Sequence, residues 1–273
     1  MRGKHKSKPI EAIVQEAKNL VKNGVKEIML IAQELTYYGL DIYKERALSK
    51  LLNQLNEVEG LEWIRLHYAY PSKFPIEIIE AVKDCDKVCN YLDIPLQHAS
   101  NNMLAAMRRQ ITREETTALI NQIRTILPNI AIRTTMLVGF PGETEADIDE
   151  MVEFVEEMRF DRLGVFEYSH EENTSGYELE DNVTPEDKAL RAARVMQAQE
   201  SISWELNQAK IGKQFKVLID RKEGEYFIGR TEFDSPEVDN EVLISAESYL
   251  RIGDFANVLV TDAAEFDLFA ELI

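Results

Sequence analysis

Cysteine is nearly absent. The 273 residues hold only Cys85 and Cys89, too few for a disulfide framework, so a reducing compartment is expected. Their C-x3-C spacing also falls short of the about four ligands a structural metal site needs. No apolar run approaches the ~20 residues of a membrane helix. The basic start Met1–Lys8 leads into an amphipathic segment without an apolar signal core, and a soluble, unexported, cytoplasmic protein is the expectation. Positive charge is scarce: 31 Lys and Arg face 49 Asp and Glu, a net −18. That argues against attachment to nucleic acid by bulk phosphate attraction and suits a basic partner better. Ser-His-Asp elbow, Walker loop, dinucleotide fingerprint and zinc spacing are all missing, so hydrolase and kinase readings have no support. What remains is ordinary globular composition, 45% hydrophobic and 29% charged, which excludes wholesale disorder.

The apolar residues that are present alternate between two periods. Ile10, Ile13, Val14, Ala17, Leu20 and Val21 recur at helical spacing and stop at Asn23-Gly24, a left-handed cap. Lys26–Ala32 follows as a buried strand. Helices are then expected near 46–57, 76–83, from Asn101 or Asn102, from Thr112 with Glu115 in capping-box position, and over 144–158. Strands are expected at 63–67, 88–94, 130–138 and 163–168. Strands separated by helices mean a parallel α/β sheet. A chain that opens on a helix is awkward for a self-contained sheet of this kind, so it reads as truncated at its N-terminus, with a sheet edge left open.

Thr184-Pro185-Glu186-Asp187 caps a long polar helix towards Ala209, the expected linker. Beyond it the texture changes to short β-like runs, 215–219, 227–230, 242–244 and 256–261, between turns of Gly, Asp, Asn and Pro. A small five-stranded barrel is expected. The boundary falls between residues 207 and 208, and residues 208–273 carry seven Lys and Arg against fourteen Asp and Glu.

Ligands of parallel α/β folds gather at the carboxyl ends of strands. Met136-Leu-Val-Gly-Phe-Pro-Gly-Glu-Thr144 places Gly139 and Gly142 where a ligand could approach the backbone, at the start of a helix with free N–H groups. Asp93-Ile-Pro-Leu-Gln-His-Ala-Ser100 sets Gln97 past another strand, beside a His98 that reads as a structural hydrogen-bonding residue. Gln33 and Glu34 end the first strand. Arg65 and His67 share one face of a strand, and Arg133 interrupts an apolar one; such charges need partners.

Together these stretches resemble the methylthiotransferases of the radical S-adenosylmethionine (SAM) superfamily, in particular the branch that modifies a ribosomal protein. The matching segments are Arg2–Pro9, Ala32–Asp41, Arg65–Pro71, Asp93–Ser100, Arg133–Thr144 and Gly229–Asp239. They run nearly the length of the chain, and the last looks like the signature of a TRAM barrel. The resemblance implies an open, partial TIM-like barrel of parallel strands and helices, followed by an OB-like TRAM barrel. It implies SAM and two four-iron four-sulfur clusters, the cluster cysteines preceding Met1. The chain as it stands is therefore expected to hold no metal, to contain no catalytic residue of its own and to be inactive. In the complete enzyme, SAM would be cleaved to a 5′-deoxyadenosyl radical and a methylthio group installed on an unactivated carbon, with the protein positioning SAM and excluding solvent. By position, Gln33 and Glu34 fall near the SAM amino group, Gln97 near the ribose, Arg133 near the carboxylate, and Gly139, Phe140, Pro141, Gly142 and Glu143 near the adenine. Arg65, His67 and Tyr68 become substrate-side candidates.

The family has a sister branch that modifies an adenosine in transfer RNA. The barrel's net −7 argues for the protein branch, whose substrate is an aspartate of small-subunit ribosomal protein S twelve, modified at the β-carbon, with an electron donor as a further partner. Lys210, Lys213 and Lys216, the only basic cluster nearby, read as solvated surface. A non-catalytic adaptor that docks on ribosomal protein is the reading from a different class.

Overall fold

The computed structural model describes residues 5–247 and 249–273. Met1–Lys4 and Ser248, and with them the Arg2-Gly-Lys start of the first matching segment, lie outside the described residues. The first 208 residues alternate helix and strand: α1 Ile10–Lys22, β1 Glu27–Ile31, α2 Leu48–Asn56, β2 Trp63–His67, α3 Glu77–Asp84, β3 Tyr91–Asp93, α4 Asn101–Ala106, α5 Arg113–Ile126, β4 Ala131–Val138, α6 Glu145–Met158, β5 Arg162–Glu167 and α7 Pro185–Gln208. β1 pairs with β2, β3 with β4 and β4 with β5, all parallel. A parallel bridge from Ile64 to Val88 joins the two groups, so the strands follow chain order 1-2-3-4-5 as a partial barrel.

Capping explains where the helices begin. In α5 and α6 the hydroxyls of Thr112 and Thr144 accept N–H groups of Glu115 and Asp147, whose carboxylates accept the threonines' own N–H groups at 2.9 and 2.8 Å. Thr184 accepts the N–H of Asp187 ahead of α7, with Pro185 at the first position. β3 is shorter than its apolar run, because Tyr91 N–H turns back to the Cys89 carbonyl and Val88 makes only the single bridge.

Five further strands, β6 Gln214–Glu223, β7 Tyr226–Arg230, β8 Glu241–Ser245, β9 Phe255–Ala263 and β10 Asp267–Leu272, close a barrel in the order 10-8-7-6-9. Val217, Val242, Ile244, Val258, Val260 and Leu268 fill it. β10 has no counterpart among the expected runs, since its acids mask the inward alternation of Leu268 and Ala270.

Barrel and core meet in a seam that is apolar at one end and ionic at the other. Trp63, Cys89, Tyr91 and Ala131 of the core pack on Leu218, Phe233 and Phe255. Burial there pushes the Cys89 thiol up to about 12, so it is a packed, protonated side chain. The loop between β7 and β8 carries Glu232, Asp234 and Asp239 inward: Asn90 N–H reaches Glu232, Arg162 binds Asp234, and Arg133 binds Asp239 at 3.2 Å. Three of the barrel's fourteen acids are thus engaged by the core. Lys210 is half-buried rather than solvated surface: burial, together with the nearby Arg162, lowers its amino group to about 8, and it donates to Asn207 Oδ1 at 3.0 Å.

Candidate functional site

A cleft of about 560 Å³ opens at the carboxyl ends of β1 to β5, within the few hundred to about 1,000 Å³ typical of small-ligand sites. Each strand supplies a wall. Gln33 and Glu34 follow β1, Tyr68 and Tyr70 follow β2, Pro95 and Gln97 follow β3, Arg133, Thr135 and Leu137 come from β4, and Phe166 from β5. Val238, from the barrel's inward loop, and Arg109, just after α4, complete it.

Two of these residues hold left-handed backbones that only glycine adopts freely, Tyr68 at φ +61° and Gln97 at φ +75°. Both are over-determined by neighbours. Gln97 N–H donates to Thr135 O at 2.8 Å and its carbonyl accepts Leu137 N–H at 2.7 Å; the Tyr68 carbonyl accepts Leu35 N–H. Such conformations cost on the order of 1–3 kcal/mol each and cluster at functional sites. They turn the Tyr68 ring and the Gln97 carboxamide to the cleft, and among the described residues neither the Gln33 nor the Gln97 carboxamide has a hydrogen-bond partner.

Arg133 is the best-anchored cation. Its Nη1 donates to Asp93 Oδ1 at 3.0 Å and its Nε to Asp239 Oδ1 at 3.2 Å, so one guanidinium ties the core to the barrel at the cleft's edge. Burial alone would raise the Asp93 carboxyl, but His67, 3.6 Å away, and Arg133 hold it below the ordinary range. A carboxylate depressed in the folded state contributes stability that is present above its unfolded pKa of about 3.9 and is lost as pH falls through the lower folded value. Asp93→Asn should therefore cost about 1–3 kcal/mol at neutral pH, and the gap should begin to narrow below about pH 4. Urea melts of both proteins from pH 7 to pH 3 check this, and a gap independent of pH would refute it.

Several expected residues lie elsewhere. Arg65 is fully buried away from the cleft: Nε binds Glu27 at 2.9 Å, Nη1 donates to the Glu232 carbonyl at 2.7 Å, and the guanidinium stacks on Tyr91. The shared face of Arg65 and His67 turns to the barrel seam, where His67 Nε2 meets Ser235 Oγ at 3.1 Å. Of the three substrate-side candidates only Tyr68 lines the cleft. The Gly139–Glu143 turn is not a wall of it. Glu143 is buried and accepts Gly139 N–H at 2.8 Å and Arg191 Nη1 at 2.9 Å. Phe140 packs edge-on against Tyr168, and a Cβ on Gly139, whose φ is +78°, would collide with Lys188 Cγ. His98 is structural: Nδ1 accepts Ala99 and Ser100 N–H, which leaves Nε2–H for Glu143 at 3.3 Å.

Arg109, Tyr70 and Val238 were missed as cleft residues. Arg109 sits in no strand run, and Val238 reaches the cleft only through the barrel's docking.

A cleft at the carboxyl ends of an open run of parallel strands, walled on one side by a small barrel, defines a class. The chain belongs to the radical SAM superfamily, whose family model matches residues 1–155, and residues 211–273 match the TRAM domain. It is 60% identical over 274 residues to a protein of Cytophaga hutchinsonii named ribosomal protein uS12 methylthiotransferase RimO, covering 100% of this chain and 63% of that one. The like-named protein of Christiangramia forsetii is 60% identical over 272 residues, 99% of this chain and 60% of its own. The chain thus spans about three fifths of the length of these relatives. Among solved structures, the coproporphyrinogen III oxidase HemN of Escherichia coli, a radical SAM enzyme, shares the fold with a TM-score of 0.51 at 18% identity, over 78% of this chain and 47% of that one.

The cleft fits SAM: two unpartnered carboxamides, two guanidiniums and the apolar surfaces of Leu137 and Phe166 match an amino acid joined to a nucleoside. The described residues do not fit an iron–sulfur cluster. Among them no three His, Cys, Asp or Glu converge on a metal position, and both cysteines are buried. Also among the described residues, no helix is long and apolar enough to cross a membrane.

Proposed function

We propose that this chain is the SAM-binding core and TRAM barrel of a methylthiotransferase that modifies the β-carbon of an aspartate in small-subunit ribosomal protein S twelve. The observation that carries it is 60% identity, across the full chain, to a protein named for that activity. The core ends and the barrel begins between residues 207 and 208, where Asn207 and Gln208 donate to barrel carbonyls at 264, 265 and 263. Bound SAM would supply the methyl group and the oxidising power for hydrogen abstraction. The chain's part is to hold it. Gln33 and Glu34 lie where the amino group would be met, Gln97 at the ribose and Arg133 at the carboxylate, and Glu143 of the Gly139–Glu143 turn ties the segment after β3 to the end of β4 and to α7. Tyr68 and Val238 shape the side on which the protein substrate enters, and iron–sulfur chemistry belongs to the part of the relatives that this chain does not span.

The test uses the protein at its relatives' full length, loaded with iron and sulfide anaerobically, given SAM and a reductant, and offered both ribosomal protein S twelve and bulk transfer RNA. Mass spectrometry should find a methylthio group on an aspartate of the protein. A gain on RNA alone would assign the chain to the sister branch.

A further inference from the structure

The two guanidiniums in the cleft are not equivalent. Arg133 has two carboxylate partners, whereas Arg109, among the described residues, has none within ion-pair distance. Its Nη2 donates to the Pro95 carbonyl at 3.0 Å, and the guanidinium lies over the Tyr70 ring, 5.0 Å from its centre. Nε is buried without a partner, and Nη1 makes no protein hydrogen bond among the described residues. The acid nearest in chemistry, Glu34, is already engaged: its Oε1 accepts the N–H and hydroxyl of Thr36.

Arg109 is half-buried, and desolvating a cation without a counter-charge is costly unless a ligand supplies one. The backbone enforces the position nonetheless, with Arg108 at φ +57° and Arg109 N–H tied to the Leu104 carbonyl at 2.8 Å. Clamped by Pro95 at Nη2 and by Tyr70 on its face, the guanidinium keeps Nη1 as the donor free to meet an anion, as a carboxylate oxygen would. Burial lowers its pKa, the direction a cation awaiting its partner should show.

We propose that Arg109 is a carboxylate-binding residue of the cleft, distinct from Arg133. The inference rests on the function proposed above, which supplies two carriers of that group: the methionine portion of SAM and the aspartate side chain of the protein substrate.

Arg109→Gln and Arg109→Lys, with melting temperatures recorded to confirm folding, are compared with the unaltered protein in two arms. Equilibrium dialysis measures SAM affinity without turnover. A second arm measures binding of a substrate-loop peptide carrying either aspartate or asparagine at the modified position. If SAM carries the carboxylate, Arg109→Gln weakens SAM at least tenfold and lysine restores part of it. If the substrate carries it, the unaltered protein prefers the aspartate peptide at least tenfold and Arg109→Gln abolishes the preference. Unchanged SAM affinity together with an unchanged peptide preference in a folded Arg109→Gln protein overturns the proposal. Modification of RNA alone by the unaltered protein overturns the functional reading, and the dialysis arm still decides Arg109.

Discussion

Truncating Asp234 to alanine is expected to destabilise the protein by about 3–5 kcal/mol, the range for removing one partner of a buried ion pair. Asp234 accepts Arg162 Nε at 2.8 Å and Nη2 as well, and the Thr231 hydroxyl adds a third bond. Burial would raise this carboxyl, but Arg162, Lys210 and Thr231 bring it below the ordinary range. The side chains of Arg162 and Asp234 are 4% and 1% exposed, so water cannot replace the lost carboxylate, and Asp161's carbonyl, 2.6 Å from Nη1, carries no charge to offset the guanidinium. The arrangement spans domains, Arg162 opening β5 and Asp234 lying in the barrel's inward loop, so the loss should loosen the seam first. Arg162→Met combined with Asp234→Leu removes both charges and should recover most of the stability. Urea unfolding of the two single variants and the double variant completes the cycle. A loss below about 1 kcal/mol for Asp234→Ala would show that the pair contributes no more than an exposed salt bridge.

The order of elements was legible because local rules governed it. Thr112, Thr144 and Thr184 cap helices with side chains three residues away, and the strands announce themselves as apolar runs. The topology rule brought Gln33, Glu34 and Gln97 to one cleft, since each stands just beyond a strand's carboxyl end; Arg133, near the start of β4, reaches it as the lone cation of an apolar strand. Illegible were the contacts between distant segments. Alternation placed Arg65 and His67 on one face, but not that the face meets the barrel, because Arg65 binds Thr231 and Glu232, more than 160 residues away. The barrel's charge pointed to the protein branch, as the relatives' names do, but composition could not tell that Asp234 and Asp239 turn inward to Arg162 and Arg133. The Gly-Phe-Pro-Gly-Glu turn drew attention as a ligand loop, yet its carboxylate is spent on its own backbone and on α7, a partner that no local pattern discloses.

That turn carries the second large expected effect. Glu143 sits at the crossing of three elements: Oε1 accepts Gly139 N–H at the end of β4 and Arg191 Nη1 from α7, while Oε2 accepts His98 Nε2–H from the segment after β3. Glu143→Ala should cost about 3–5 kcal/mol, because it strips the acceptor from a buried amide, a buried imidazole and a largely buried guanidinium together. Arg191 would keep the backbone carbonyl of residue 143 at 3.3 Å and Glu145, an uncharged acceptor and a carboxylate that is 65% exposed and so compensates weakly. Glu143→Gln separates charge from acceptor. Its carbonyl oxygen can still take Gly139 N–H, but its NH₂ faces a His98 that cannot become an acceptor at Nε2, since Nδ1 already receives two backbone N–H groups. Its loss should fall between zero and that of alanine. Because none of the turn's residues lines the cleft, SAM affinity in whatever fraction stays folded should change far less than stability. Denaturant melts and SAM dialysis on the two variants measure both quantities. Equal stability of the glutamine variant and the original would show that the carboxylate's charge is dispensable, and a SAM affinity that falls in step with stability would place the turn at the ligand after all.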